Sequence, residues 1–296
     1  YKRQMEHFHG DPSLGAAVFT VTLPDGSREC SAYPDVCIGC GTGFRRRAVV
    51  EAGGLPDDFF MAAEEYDLSL RLLDAGWKVR TFDDLHVTHL KTPASRFPKR
   101  IARLDARNNL MLAMRYFPEP WRLPYAREWL ERYRLMAAAN GNRAAFWAGA
   151  AEGLFRGLTL ERRPISASAF EQFARVRETE RRMRDAAAGM SLRRVLFVDL
   201  GKNILAYRLA ARNCGLNVVA IADARLGGPG APVSFRGVPI LSDAEALKLD
   251  FDAAIMSNLS PVHAARRLAT WRGLTDRPVI DLFAPRQGGG ELAAAA

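Results

Sequence analysis

Residues 53–71 read GGLPDDFFMAAEEYDLSLR, and this stretch decides how the first part of the 296-residue chain is understood. Gly53-Gly54 supplies a permissive turn, Pro56, Asp57 and Asp58 continue it, and Phe59-Phe60 anchors the loop in apolar surroundings. From Glu64 the spacing becomes helical. Leu68, Leu72 and Ala75 share a face, Asp67 and Arg71 form an (i, i+4) pair, and Gly76 closes the element as a C-cap. Glu64, Glu65 and Asp67 therefore occupy the first turn. Unpaired backbone N–H groups and the helix dipole stabilise anions there, so a partly desolvated carboxylate can stay charged. Acidic residues favour helix starts for that reason alone, and by itself the cluster is ordinary capping.

The surroundings add more. Gly53-Gly54, Phe59-Phe60, Glu64-Glu65, Asp67-Leu68 and Arg71 follow one another in the order and spacing of the acceptor-side motif of the inverting family 2 glycosyltransferases, and on these residues the chain resembles that family. The resemblance implies a GT-A fold and makes Glu65 the catalytic base that takes the proton of an acceptor hydroxyl, with Glu64 beside it. The family has Asp at the base position; glutamate does the same chemistry one methylene further out. Upstream, Gly39-Cys40-Gly41-Thr42-Gly43-Phe44-Arg45-Arg46 resembles the segment that lines the sugar and acceptor site, so Gly41 and Thr42 join Asp67 and Arg71 as substrate-binding candidates. Downstream, Leu85-His86-Val87-Thr88-His89 resembles the segment whose last histidine completes a divalent metal site, Mg or Mn. Residues three apart on a strand face opposite ways, so His86 and His89 cannot easily share one ion, and the resemblance picks His89. His7, His9 and His263 read as packing or surface residues.

In that family an N-terminal half with an Asp-x-Asp motif binds the nucleotide-sugar donor. No such half precedes Tyr1, and the chain ends in Ala293 to Ala296. The expectation is an N-terminally truncated fragment, inactive alone, whose parent transfers a sugar with inversion to a saccharide or lipid-linked acceptor in bacterial surface polysaccharide synthesis.

Composition fits a globular α/β chain, with 48% hydrophobic and 25% charged residues. No apolar run approaches the ~20 residues of a membrane span; the best stretch, 136–158, is broken by Asn140, Arg143 and Glu152. The net charge of +9 comes largely from arginines in the middle of the chain. Arg96, Lys99, Arg100, Arg103 and Arg107 could meet anionic headgroups or the phosphate of an acceptor, whereas those within 171–185 alternate with glutamates as on a solvated helix face. No nucleic-acid-binding motif is present, so no nucleic acid partner is expected. Cys37 and Cys40 have zinc or redox spacing without a second pair, which points to reduced, structural cysteines and a cytoplasmic setting, with peripheral contact at the inner membrane face as an option.

Residues 120–190 read as helical, beginning after Pro118, Pro120 and Pro124, and Trp121, Trp129, Tyr133 and Leu135 give amphipathic spacing expected to pack on the catalytic unit. From Leu192 the pattern changes. Apolar runs at 194–199, 217–223, 238–241, 252–256 and 278–282 are separated by helical stretches, as in a parallel Rossmann-like sheet. The first loop keeps only Gly201 of a Gly-x-Gly-x-x-Gly fingerprint, which argues against NAD(P); Gly201 and Lys202 could still hold an anion, and Asp223 could accept a ribose hydroxyl or cap a turn. The expected organisation is an acceptor-side GT-A half over 1–118, a helical connector over 119–190, a Rossmann-like domain over 191–285 and a flexible tail over 286–296. The alternative function is a nucleotide- or sugar-nucleotide-binding oxidoreductase or sensor working through the C-terminal domain.

Overall fold

The computed structural model describes residues 2–59, 61–91, 97–228 and 233–284. Phe60, Arg96 and the tail 286–296, which figure in the sequence reading, lie outside the described residues.

After α1 (Lys2–Gly10), β1 (Leu14–Thr22) forms the centre of a four-stranded mixed sheet. Its small residues suit a strand covered on both faces: Ala17 packs with Phe8 and Leu85, while Ala16 and Val18 face the main core. β2 (Arg28–Glu29) and β3 (Thr42–Phe44) pair antiparallel along one edge of β1. Then come α2 (Arg46–Glu51) and α3 (Glu64–Asp74), and β4 (Lys78–Thr88) returns parallel to β1 on its other edge. α3 starts at the acidic pair, buries Leu68, Leu70, Leu72 and Leu73, and gives way to Gly76 at φ 80°.

A helical layer follows, made of α4 (Pro98–Tyr116), α5 (Arg122–Ala139), α6 (Arg143–Thr159), α7 (Ala167–Ala174) and α8 (Val176–Met190). The expected boundary at 118/119 falls between α4 and α5, inside this layer. α4 and α6 meet backbone to backbone because Gly149, Gly153 and Gly157 recur one turn apart. A Cβ on Gly149 would lie 2.0 Å from the Arg103 carbonyl oxygen, and one on Gly153 would lie 2.6 Å from that of Arg107. On α8, Arg181 and Arg182 pair with Glu178, and Arg184 with Glu180, as expected of a solvated charged face.

The second sheet is built from β5 (Arg194–Val198), α9 (Ile204–Asn213), β6 (Asn217–Ala222), β7 (Val233–Phe235), β8 (Val238–Leu241), α10 (Asp243–Ala246), β9 (Ala253–Met256), α11 (Pro261–Arg272) and β10 (Val279–Ile280). Its order is β10-β9-β5-β6-β8-β7, parallel throughout except for antiparallel β7. This is the strand order of a Rossmann-type sheet, and the parallel strands fall on the predicted apolar runs. The three-residue edge strand β7 carried no comparable signal. The order reverses between β5 and β9, so the loops leaving those strands diverge and open a crevice at their C-terminal ends. One buried cluster runs from Ala16 through Trp129 and Phe173 to Leu282, so both sheets and the helical layer share an interior.

Gly153→Ala pushes a methyl group into α4 backbone and is expected to lower the unfolding free energy by about 1–3 kcal/mol in urea titration. Gly189→Ala, on α8 with open space around it, should instead raise it by up to about 1 kcal/mol.

Candidate functional site

Two consecutive residues lead into α3 in the left-handed region, Ala62 at φ 66° and Ala63 at φ 77°. A residue with a Cβ loses about 1–2 kcal/mol in that conformation and stays there only when its surroundings hold it. Asn108 of α4 provides the hold. Fully buried, it donates from Nδ2 to the Met61 carbonyl at 2.8 Å and to that of Ala62. The turn delivers Glu64 and Glu65 side by side, each half-buried. Burial raises the Glu64 pKa, and the adjacent Glu65 carboxylate raises it further, through its charge and through a hydrogen bond between the two side chains. Glu64 Oε2 is buried without a protein partner. Such a pair shares one proton more readily than two separate glutamates would.

The loop 37–42 closes over this pair. The Cys37 amide donates to Ser69 Oγ at 3.1 Å, and Thr42 Oγ1 staples the turn by donating to the Ile38 carbonyl at 2.8 Å and accepting from its amide at 3.2 Å. A Cβ on Gly41 would lie 2.6 Å from Val87, so its small size is needed for strand packing. Thus Gly41 and Thr42 are engaged within the loop, and it is Gly39 that faces the carboxylates: a Cβ there would lie 3.4 Å from Glu65 Oε1. The following residue, Cys40, belongs to a cluster in which single donor atoms of Glu29, Cys40 and His89 lie within 4.8 Å of one another. Burial raises the Cys40 thiol pKa, and the charges of Glu29 and Glu65 add to the shift. One loop therefore stands between the carboxyl pair and His89.

His89 follows β4, and its Nδ1 lies 2.8 Å from Glu29 Oε2, while Lys91 Nζ lies 3.0 Å from Glu29 Oε1. His86 is exposed on the strand. With Nδ1 engaged by a carboxylate, Nε2 is the nitrogen left to ligate an ion, an arrangement common around ligating histidines. Apart from His89, the cluster offers a proton-holding thiol and a carboxylate already paired with lysine. It fits one ligand to a divalent ion and not the oxygen-rich shell that Mg or Mn prefers.

Asp67 and Arg71 face elsewhere. Asp67 is fully buried, Arg71 Nε donates to it at 2.8 Å, and the same guanidinium donates to the Ala52 carbonyl, clamping α3 to the glycine turn. With Asp58, Arg115 and Tyr116 they line a cleft of about 210 Å³ that neither Glu64 nor Glu65 reaches.

The first loop of the second sheet is covered by the helical layer. Arg132 Nε donates to the Leu200 carbonyl at 2.8 Å, Trp129 Nε1 to that of Lys202 at 2.7 Å, and the Tyr125 hydroxyl to Asn203 Oδ1 at 2.7 Å. Gly201 is required by close packing, since a Cβ would lie 2.3 Å from the Ser257 carbonyl oxygen. The Lys202 ammonium reaches into the layer, 3.5 Å from the Tyr66 ring centre and 4.8 Å from that of Trp129, within electrostatic range of Asp105 and Glu65. Burial lowers its pKa to about 7; Arg132 acts in the same direction, and Asp105 and Glu65 oppose it. Asp223 caps rather than projects. It accepts from the Leu200 amide at 2.9 Å and from the Arg225 amide and side chain.

Sequence reasoning missed the cluster at the crevice itself. Asp199, at φ 70° just after β5, accepts from Arg267 at 3.0 Å and Asn258 at 3.2 Å, and His263 Nε2 lies 2.9 Å away. An aspartate closing the first strand was its only sequence signal. An Asp-x-Asp triplet, Asp250-Phe251-Asp252, also occurs, but at the opposite end of the sheet, where Asp252 accepts from the Arg193 and Arg194 amides. No family model matches the chain, nor does any curated protein or solved structure.

Asn108→Ala strands the Met61 and Ala62 carbonyls and is expected to cost about 1–3 kcal/mol in chemical denaturation; an unchanged midpoint would mean that the turn is held by other groups. Lys202 gives a pH test. Between its folded value of about 7 and the ordinary lysine value of about 10.4, the unfolded chain holds a proton that the folded chain has released, so folding gains stability as pH rises. Relative to Lys202→Met, the wild-type chain should gain up to about 1.4 kcal/mol per pH unit above pH 7 in matched urea titrations.

Proposed function

We propose that this chain carries the acceptor-side part of an inverting, GT-A glycosyltransferase, which moves a sugar from a nucleotide-sugar donor to a saccharide or lipid-linked acceptor. The observation that carries the reading is the strained turn that sets Glu65 beneath Gly39, with His89 on the far side of the same short loop. Glu65 accepts the proton of an acceptor hydroxyl as that oxygen bonds to the anomeric carbon from the face opposite the leaving group. The bond to the nucleoside diphosphate breaks with its electron pair going to the departing oxygen, and the configuration inverts. Glu64 lies beside Glu65, its own pKa raised by burial and by the Glu65 charge. His89 Nε2 would give one ligand, oriented by Glu29, to a divalent ion that offsets charge on the leaving diphosphate when bound. The remaining ligands, and the donor-binding unit with its Asp-x-Asp, are in this proposal supplied by residues outside these 296.

The alternative, nucleotide chemistry at the C-terminal sheet, is not favoured by a first loop whose carbonyls and asparagine are bonded to Trp129, Arg132 and Tyr125.

In a polypeptide that joins a donor-binding unit to these residues, Glu65→Gln should lower transfer by about 10²–10⁴-fold while nucleotide-sugar binding and the thermal midpoint hold. Turnover within about tenfold of the parent would reject Glu65 as the base.

A further inference from the structure

The outer face of α6 is apolar for its whole length. Its inner face is the glycine stripe against α4. Outward it presents Trp147, Leu154, Phe155 and Leu158, which keep 56%, 51%, 68% and 69% of their surface exposed, and Ala148 and Ala151 fill the positions between them. A helix on a protein surface normally turns charged residues outward, and a contiguous apolar face of this kind marks a place where something binds.

The rim of the face is basic. Glu152, the one acidic residue of α6, is met by Arg103 at 2.8 Å, Arg107 at 3.1 Å and Arg156 at 3.4 Å. Arg143 stands exposed at the first position of the helix. Arg107 is largely enclosed, its side chain 11% exposed, so the cations the rim turns to solvent are Arg103, Arg143 and Arg156, and three arginines against one glutamate leave it positive.

We propose that this face docks on the surface of an anionic phospholipid bilayer, with α6 lying in the plane of the interface. Tryptophan, phenylalanine and leucine side chains would enter the boundary between headgroups and acyl chains, and the arginines would meet lipid phosphates. The helix lies on the membrane and does not span it: no helix among the described residues is long and apolar enough to cross. A second copy of the chain is a poorer occupant, because a symmetric contact would set the arginine rim against itself. The proposal stands independently of sugar transfer, since it uses none of the residues around Glu65.

Sedimentation with vesicles tests it. The chain should bind vesicles of phosphatidylcholine with about one-third phosphatidylglycerol at least about tenfold more tightly than vesicles of phosphatidylcholine alone, and added salt should weaken the binding. The double variant Phe155→Glu/Leu158→Glu should lose at least about tenfold in binding with an unchanged unfolding midpoint, both residues being exposed. Leu274→Glu, at another exposed apolar position, should bind as wild type does. Absence of vesicle binding, binding that survives the double variant, or a dimer in vesicle-free ultracentrifugation that the double variant dissolves would each overturn the proposal.

Discussion

The two sheets depend on one short segment, the loop from Leu200 to Asn203. Its carbonyls and its asparagine are satisfied by Arg132, Trp129 and Tyr125, and the Tyr33 hydroxyl also donates to the Lys202 carbonyl at 3.3 Å. Most of these groups are buried, so parting the layers would strand polar atoms at about 1–3 kcal/mol each. In an ordinary nucleotide-binding sheet this loop faces a ligand. Here it faces aromatic side chains, and the lysine that would have met a phosphate instead enters the electrostatic surroundings of Glu65.

Within α3 the three acids of the first turn have separate roles, although the sequence presents them as one cluster. Glu64 and Glu65 are held as a pair by a backbone conformation that alanine resists. Asp67 is spent on a buried clamp with Arg71, where removing either partner would leave an uncompensated charge. The distinction comes from side-chain direction on the helix and not from residue type.

Much of the architecture was legible because it rests on local patterns. The start of α3 at Glu64, its end before Gly76, and the strands at 194–198, 217–222, 238–241 and 253–256 follow from apolar runs, caps and turn residues. What escaped depends on distant partners. Nothing about Ala62-Ala63 announces a left-handed turn, because the residue that holds it, Asn108, is 46 positions away. The Asp199 cluster draws on Arg267, 68 positions further on, and Lys202 is bonded through its carbonyl to Trp129, 73 positions back. Gly39 lies against Glu65 while Gly41 and Thr42 are engaged within the loop, a difference that spacing does not carry, because it does not say which glycine of a loop lies against a carboxylate.

The glycine stripe of α6 has a consequence beyond close packing. Three absent side chains fit the helix to α4 in one rotational setting, since rolling it would drive an alanine or a phenylalanine into carbonyl oxygens. The helix therefore cannot turn its outer face inward to shield Trp147 or Phe155 from water. The apolar stripe is keyed in place by the same residues that let the two backbones touch, and it is as permanent a part of the folded protein as the core behind it.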